Sequence, residues 1–163
     1  MIILLRVLHV VLGMLWVGTV FFTTFFLSPA MADVGPDGNK VMGAIQKRGF
    51  MAVMPLIAIL TLISGFWMYM RAGKEFMSTP VGRMFGIGGV LALLSFVVGL
   101  SFIMPSMARA AKLMQSMATV PEQERAARAA EAQRLRARGA AASKVVSVLL
   151  LATAIAMAIA RYM

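Results

Sequence analysis

Four stretches of the chain, roughly 2–27, 50–70, 85–103 and 145–160, are almost wholly apolar, and together they hold one charged side chain, Arg6. A bilayer core takes about 20 helical residues to cross. Hydrocarbon also forces every backbone N–H and C=O to find a partner inside its own segment or a closed barrel. Long continuous apolar runs, rather than period-two alternation, select helices. The expected fold is therefore all-α: an integral membrane four-helix bundle in a single domain, with the lipid bilayer as its main solvent. Composition agrees, since 61% of the 163 residues are hydrophobic and only 13% charged, with a mean hydropathy of +0.87. The absence of cysteine excludes disulfides and thiolate metal sites.

The connections differ in kind. "SPAMADVGPDGNKVMGAIQKRG" carries Pro29, Gly35-Pro36 and Asp37-Gly38, which punctuate a loop before a short amphipathic run. Its Ala30-Met31-Ala32 imitates a signal-peptidase site, but the preceding apolar run is too long for a cleaved leader and lacks a positive cluster, so a retained anchor is expected. From Pro105 to Lys144 the chain turns polar yet stays rich in Ala, Arg, Glu, Gln and Leu, all strong helix formers. The third helix is expected to run to about Ala118. A new one is expected to start near Val120, with "TVPE" (Thr119 to Glu122) as a capping box, and to continue unbroken into the fourth span. The result is a helical hairpin over 105–144, Ala-lined and Arg-edged.

The chain has a formal charge of +10, and its cations are unevenly placed. Eleven fall at one end of the expected bundle (Lys40, Lys47, Arg48, Arg109, Lys112, Arg125, Arg128, Arg134, Arg136, Arg138, Lys144) and five at the other (Arg6, Arg71, Lys74, Arg83, Arg161). The positive-inside rule then makes the hairpin cytoplasmic and both termini extracytoplasmic. Such an excess suits anionic lipid or a membrane-protein partner. No nucleic-acid motif accompanies it.

His9 is the one histidine, set in "LLRVLHVVLGMLWVG" about 10 Å below the start of the first span. Positions 6, 9, 13 and 16 share a helix face, so Arg6, His9, Gly13 and Trp16 point together. A polar ring in hydrocarbon needs a partner, which turns this face inward. Gly13 would leave a gap for a neighbouring helix or a flat cofactor. Antiparallel alternation brings Ser64, Gly65 and Met68, then Met84, Gly88 and Gly89, then Met157 to similar depth. His opposite Met is an axial pair for haem iron, and Arg6, Arg71, Arg83 and Arg161 at the outer boundary would suit propionates. The site so drawn is a b-type haem on His9, with Met68, Met84 or Met157 as sixth ligand.

The competing reading is structural: an imidazole bonded to a serine or carbonyl across the bundle, and arginines snorkelling at helix ends. Copper transfer through some of the sixteen methionines is a lesser alternative, because methionine is also an ordinary core filler. No carboxylate lies in a span, which argues against an Asp/Glu proton relay.

In "LHVVLGMLWVG" and "MPLIAILTLISGFWMY" the chain resembles small bacterial four-helix membrane proteins related in pattern to the copper-resistance D family, and distantly the HemJ-type protoporphyrinogen IX oxidase. Leu8, His9, Trp16 and Gly18 match the opening of their first span, and Pro55 and Gly65 their second. The resemblance implies a multi-pass protein of the bacterial inner membrane with His9 where relatives bind haem or metal. The further histidines of the oxidase have no counterpart in "FFLSPAM" or "VGRMFGIGG", so oxidase activity is not expected. Two functions stand at this point: a haem-binding or redox-associated protein centred on His9, and a non-catalytic scaffold or accessory subunit acting through its basic hairpin.

Overall fold

The computed structural model describes residues 2–163, with the backbone alone at positions 36, 39 and 118. No strand occurs among the described residues. Helix α1 (Ile2–Phe22) continues through a π turn, Thr23–Leu27, into α2 (Ser28–Asp33), and the amphipathic α3 (Pro36–Lys47) comes after it. Next come α4 (Phe50–Arg71), the short α5 (Gly73–Ser78) and α6 (Pro80–Val98). A second π turn, Gly99–Ile103, joins α6 to α7 (Met104–Gln115), and α8 (Glu122–Ala160) runs unbroken for 39 residues. Four continuous helical stretches, Ile2–Asp33, Phe50–Arg71, Pro80–Gln115 and Glu122–Ala160, are long and apolar enough to cross a membrane.

The two π turns have one cause. Proline lacks an N–H, and its ring collides with the carbonyl four residues back. Pro29 and Pro105 each sit just after a π turn, and the residue before each proline donates its N–H five residues back, Ser28 to Thr23 and Met104 to Gly99. One extra residue in the turn absorbs the mismatch, so both helices continue past their prolines.

Helix α8 is the backbone of the bundle. It packs along α6 within the expected span and along α7 beyond it, while α1 pairs with α4; α4–α6 and α1–α8 contacts close the ring. Apolar surface gives helices in lipid no reason to associate, so small residues that allow close approach decide the contacts. On α6 these are Gly88, Ala92 and Ser95, and facing them on α8 are Leu150, Thr153 and Ala156, all buried. Farther along, Ser106 and Ala110 meet Ala132 and Gly139, where the Met107 methyl lies 2.6 Å from the place a Cβ would take at Gly139. The core cluster is Trp16, Ala58, Ala92, Val146 and Leu150.

Buried hydroxyls are tolerated because they bond to their own helices. Thr61, Ser95 and Thr153 each donate to the carbonyl four residues back. Ser147 does the same and also reaches Thr24 Oγ1 at 3.1 Å, tying α8 to the π turn after α1. No buried side-chain nitrogen or oxygen is left without a partner among the described residues.

One expectation about helix ends is corrected. The helix that carries the third apolar stretch begins at Pro80: Thr79 caps it, its Oγ1 accepting the Gly82 N–H at 3.0 Å, with Pro80 in the first turn. "TVPE" does not form a capping box. Pro121, at φ −52° and ψ 144°, delays α8 to Glu122, and the Thr119 hydroxyl turns back to the Ser116 carbonyl instead.

Since the chain has no cysteine, the register is testable by engineered disulfide. Thr24→Cys with Ser147→Cys should give one intramolecular bridge under mild oxidant, read as a mobility shift reversed by reductant. A one-turn slip of α8 along α1 would abolish it.

Candidate functional site

His9 is half-buried, and the side of α4 that carries Thr61, Ser64 and Gly65 receives its ring. Nδ1 lies 2.9 Å from the Thr61 carbonyl oxygen and 3.2 Å from Ser64 Oγ. A carbonyl oxygen only accepts, so Nδ1 carries the hydrogen, and in the neutral ring Nε2 keeps the lone pair. Ser64 Oγ directs its own hydrogen to the carbonyls of Leu60 at 2.7 Å or Thr61 at 3.0 Å, which leaves its lone pairs for the imidazole.

Gly65 makes the arrangement possible. In a helix the side chain four residues on leans back toward the N-terminus and covers the carbonyl it follows. At position 65 there is none, and a Cβ there would sit 2.6 Å from His9 Cε1. The missing side chain opens the Thr61 carbonyl to a donor from the neighbouring helix. One turn deeper, Gly13 of α1 faces the Thr61 methyl, 3.7 Å from where its Cβ would be. The pair α1–α4 is thus keyed in both directions.

Three of the remaining residues expected around a cofactor, Met157, Arg83 and Arg161, make contacts of their own. Met157 packs on Gly88, its Cγ 3.0 Å from the place of a Cβ, and so belongs to the α6–α8 contact. Met68 and Met84 are half-buried. Arg6 and Arg71 are exposed. Arg83 donates through Nε to the Ser78 carbonyl at 3.1 Å, closing the end of α5, and the Arg161 guanidinium lies 5.3 Å over the Tyr162 ring. The opening expected beside Gly13 is taken by the Thr61 methyl, and the space over Gly65 by the imidazole itself. Among the described residues no three His, Cys, Asp or Glu side chains cluster as metal ligands.

A second concentration of chemistry lies where α7 and α8 pair. Over residues 105–144 eight cations stand against three carboxylates, Glu122, Glu124 and Glu131. Arg128 bridges Glu124 at 3.2 Å and Ser116 Oγ at 3.3 Å, and Arg125 donates to the Val120 carbonyl at 3.1 Å. Arg138 lies 5.3 Å over the Phe102 ring. Arg134 and Arg138 are exposed and Arg136 half-exposed. The apolar floor of the pair, Ala110 and Ala132, is buried to within 2%.

Comparison with family models, curated proteins and solved structures finds no match for this chain. The resemblance to the copper-resistance D group therefore rests on the residues quoted for it.

The role of Gly65 can be read from a double-mutant cycle. Gly65→Ala should destabilise the protein by about 1–3 kcal/mol through collision with the imidazole. In a His9→Ala background the same change should be neutral or stabilising by about 0.5–1 kcal/mol, because alanine is the better helix former. Denaturant unfolding in micelles measures both, and additive effects would refute the keyed contact.

Proposed function

We propose that this protein is a non-catalytic membrane anchor that holds a rigid basic helical hairpin at the cytoplasmic surface and presents it to acidic partners, whether protein or anionic headgroup. The observation that carries the reading is the continuity of α8. One helix packs on α6 with small residues and on α7 with Ala132 and Gly139, so α8 joins the charged pair to the apolar bundle without a break. A mobile loop of the same charge would lose its attraction to the entropy of ordering. A preformed hairpin does not.

Orientation is argued from the same charges. Eleven of the sixteen cations belong to the hairpin end, an excess that supports a cytoplasmic hairpin with both termini outside. The attraction amounts to roughly 1 kcal/mol per Lys or Arg near an anionic surface, and it decays within a Debye length of about 8 Å at physiological salt.

One observation favours a second reading in which His9 holds haem or metal. Its Nδ1–H is committed to a backbone carbonyl, the arrangement that orients ligating histidines and leaves Nε2 as donor atom. A haem would need the outer halves of the helices to part around it.

Two measurements separate the readings. Proteoliposomes with the hairpin outward should tether vesicles containing phosphatidylglycerol at low salt, and Arg→Glu changes at positions 128, 134, 136 and 138 should abolish tethering. Unchanged tethering by that variant would remove the first reading. For the second, protein purified in detergent and titrated with haem should show a Soret band that His9→Ala loses; no band, or a band indifferent to His9, removes it.

A further inference from the structure

At the base of the hairpin a groove of about 470 Å³ separates the α3–α4 elbow from α7. Gln46 and Met51 line one wall, and Met104, Met107, Ala108 and Ala111 are prominent on the other. We propose that this groove binds one anionic phospholipid of the adjoining leaflet, its phosphate held by cations at the rim and an acyl chain lying among the methionines. The site is distinct from the outer hairpin arginines and goes beyond their role in tethering.

Three features of the groove select this ligand. The first is position: Met51 lies in the second apolar stretch and Met104 adjoins the end of the third, whereas Gln46, Ala108 and Ala111 lie outside the apolar stretches. The groove thus crosses from hydrocarbon to headgroup, as a lipid does. The second is charge. Lys47 and Arg48 come directly after Gln46 at the elbow, where Gly49 (φ 83°) turns the chain. Arg109 lies one helical turn beyond Pro105, another lining residue, and Lys112 one turn beyond Ala108. All four cations are exposed. The ion pairs among the described residues, Lys40–Asp37 and Arg128–Glu124, involve none of them. Four unneutralised cations around an apolar cleft complement a phosphate carried on a hydrocarbon chain.

The third is size and compliance. A volume of about 470 Å³ equals roughly one turn of an α-helix with its side chains, too little for a partner helix and suited to a flexible chain. Methionine has an unbranched, polarisable side chain that adapts to such an occupant. Met107 is also braced from behind, because its methyl fills the space over Gly139 of α8.

The test is native mass spectrometry of the full chain released from nanodiscs of phosphatidylcholine containing phosphatidylglycerol. One phosphatidylglycerol per protein should survive delipidation that strips phosphatidylcholine. Arg109→Gln with Lys112→Gln should weaken its retention about 30-fold, and Ala111→Trp, which fills the groove, should abolish it. Ala108→Leu, a milder filling change, should reduce it if the tryptophan variant does not fold. The Arg→Glu changes at positions 128, 134, 136 and 138 should leave it intact, so loss of tethering and loss of this site are separable. Equal retention of phosphatidylcholine, retention unaffected by Ala108→Leu, or displacement by free glycerol phosphate would each overturn the proposal, the last by showing a phosphate site without a chain.

Discussion

The close approach of α6 to α8 is the contact on which the rest of the molecule depends. Inside a bilayer, lipid tails solvate leucine and isoleucine as well as another helix does, so large apolar side chains contribute little to association. Contact must come from places where backbones can come near. Gly88, Ala92 and Ser95 provide them along the span, and Ala110, Ala132 and Gly139 carry the same seam into the polar region. The seam therefore passes from apolar to polar sequence without changing its packing rule. Many large apolar side chains elsewhere, such as Ile3, Leu4, Met14 and Phe66, are left facing outward.

Polar groups in such a bundle have two fates. Most hydroxyls return to their own helix and ask nothing of their neighbours. His9 cannot do so, because its ring is too large to fold back on a carbonyl of α1, and it bonds to α4 instead. This makes it a register pin: sliding α1 by one turn would strand a donor in hydrocarbon and drive the imidazole into a different residue of α4. The same geometry explains why Ser64 and Gly65 stand together, one accepting from the ring and the other making room for it.

Much of this was legible in the sequence, and the reasons are uneven. The four spans come from hydropathy alone, which acts over many residues and is insensitive to detail. The unbroken α8 came from helix propensity between Pro121 and Lys144. Depth matching brought Ser64 and Gly65 opposite His9, because antiparallel helices of known rise allow little freedom. Where one atom decides, reading the residues failed. Thr119 does not cap α8 because Pro121 displaces the first turn. Glycine was ambiguous in the same way. Gly13, Gly65 and Gly88 can each mark a cavity or a contact, and only the positions of Thr61, His9 and Met157 decide for contact.

The two π turns connect the apolar bundle to its charged end. Each precedes a proline near the boundary where the cations collect, and each adds a residue that rotates the next helical segment about its axis. Without the turn before Pro105, the face of α7 that carries Ala108, Ala111 and Lys112 would be rotated away from the elbow by about 100°, the angle per residue of an α-helix. The rotation leaves Ser106 and Ala110 on α8 while presenting Met104, Ala108 and Ala111 to the groove. Proline, which in a soluble helix would end the element, here sets the azimuth of α7 relative to α6. The face that α7 turns to the groove is thus determined by a backbone defect several residues before any cation appears.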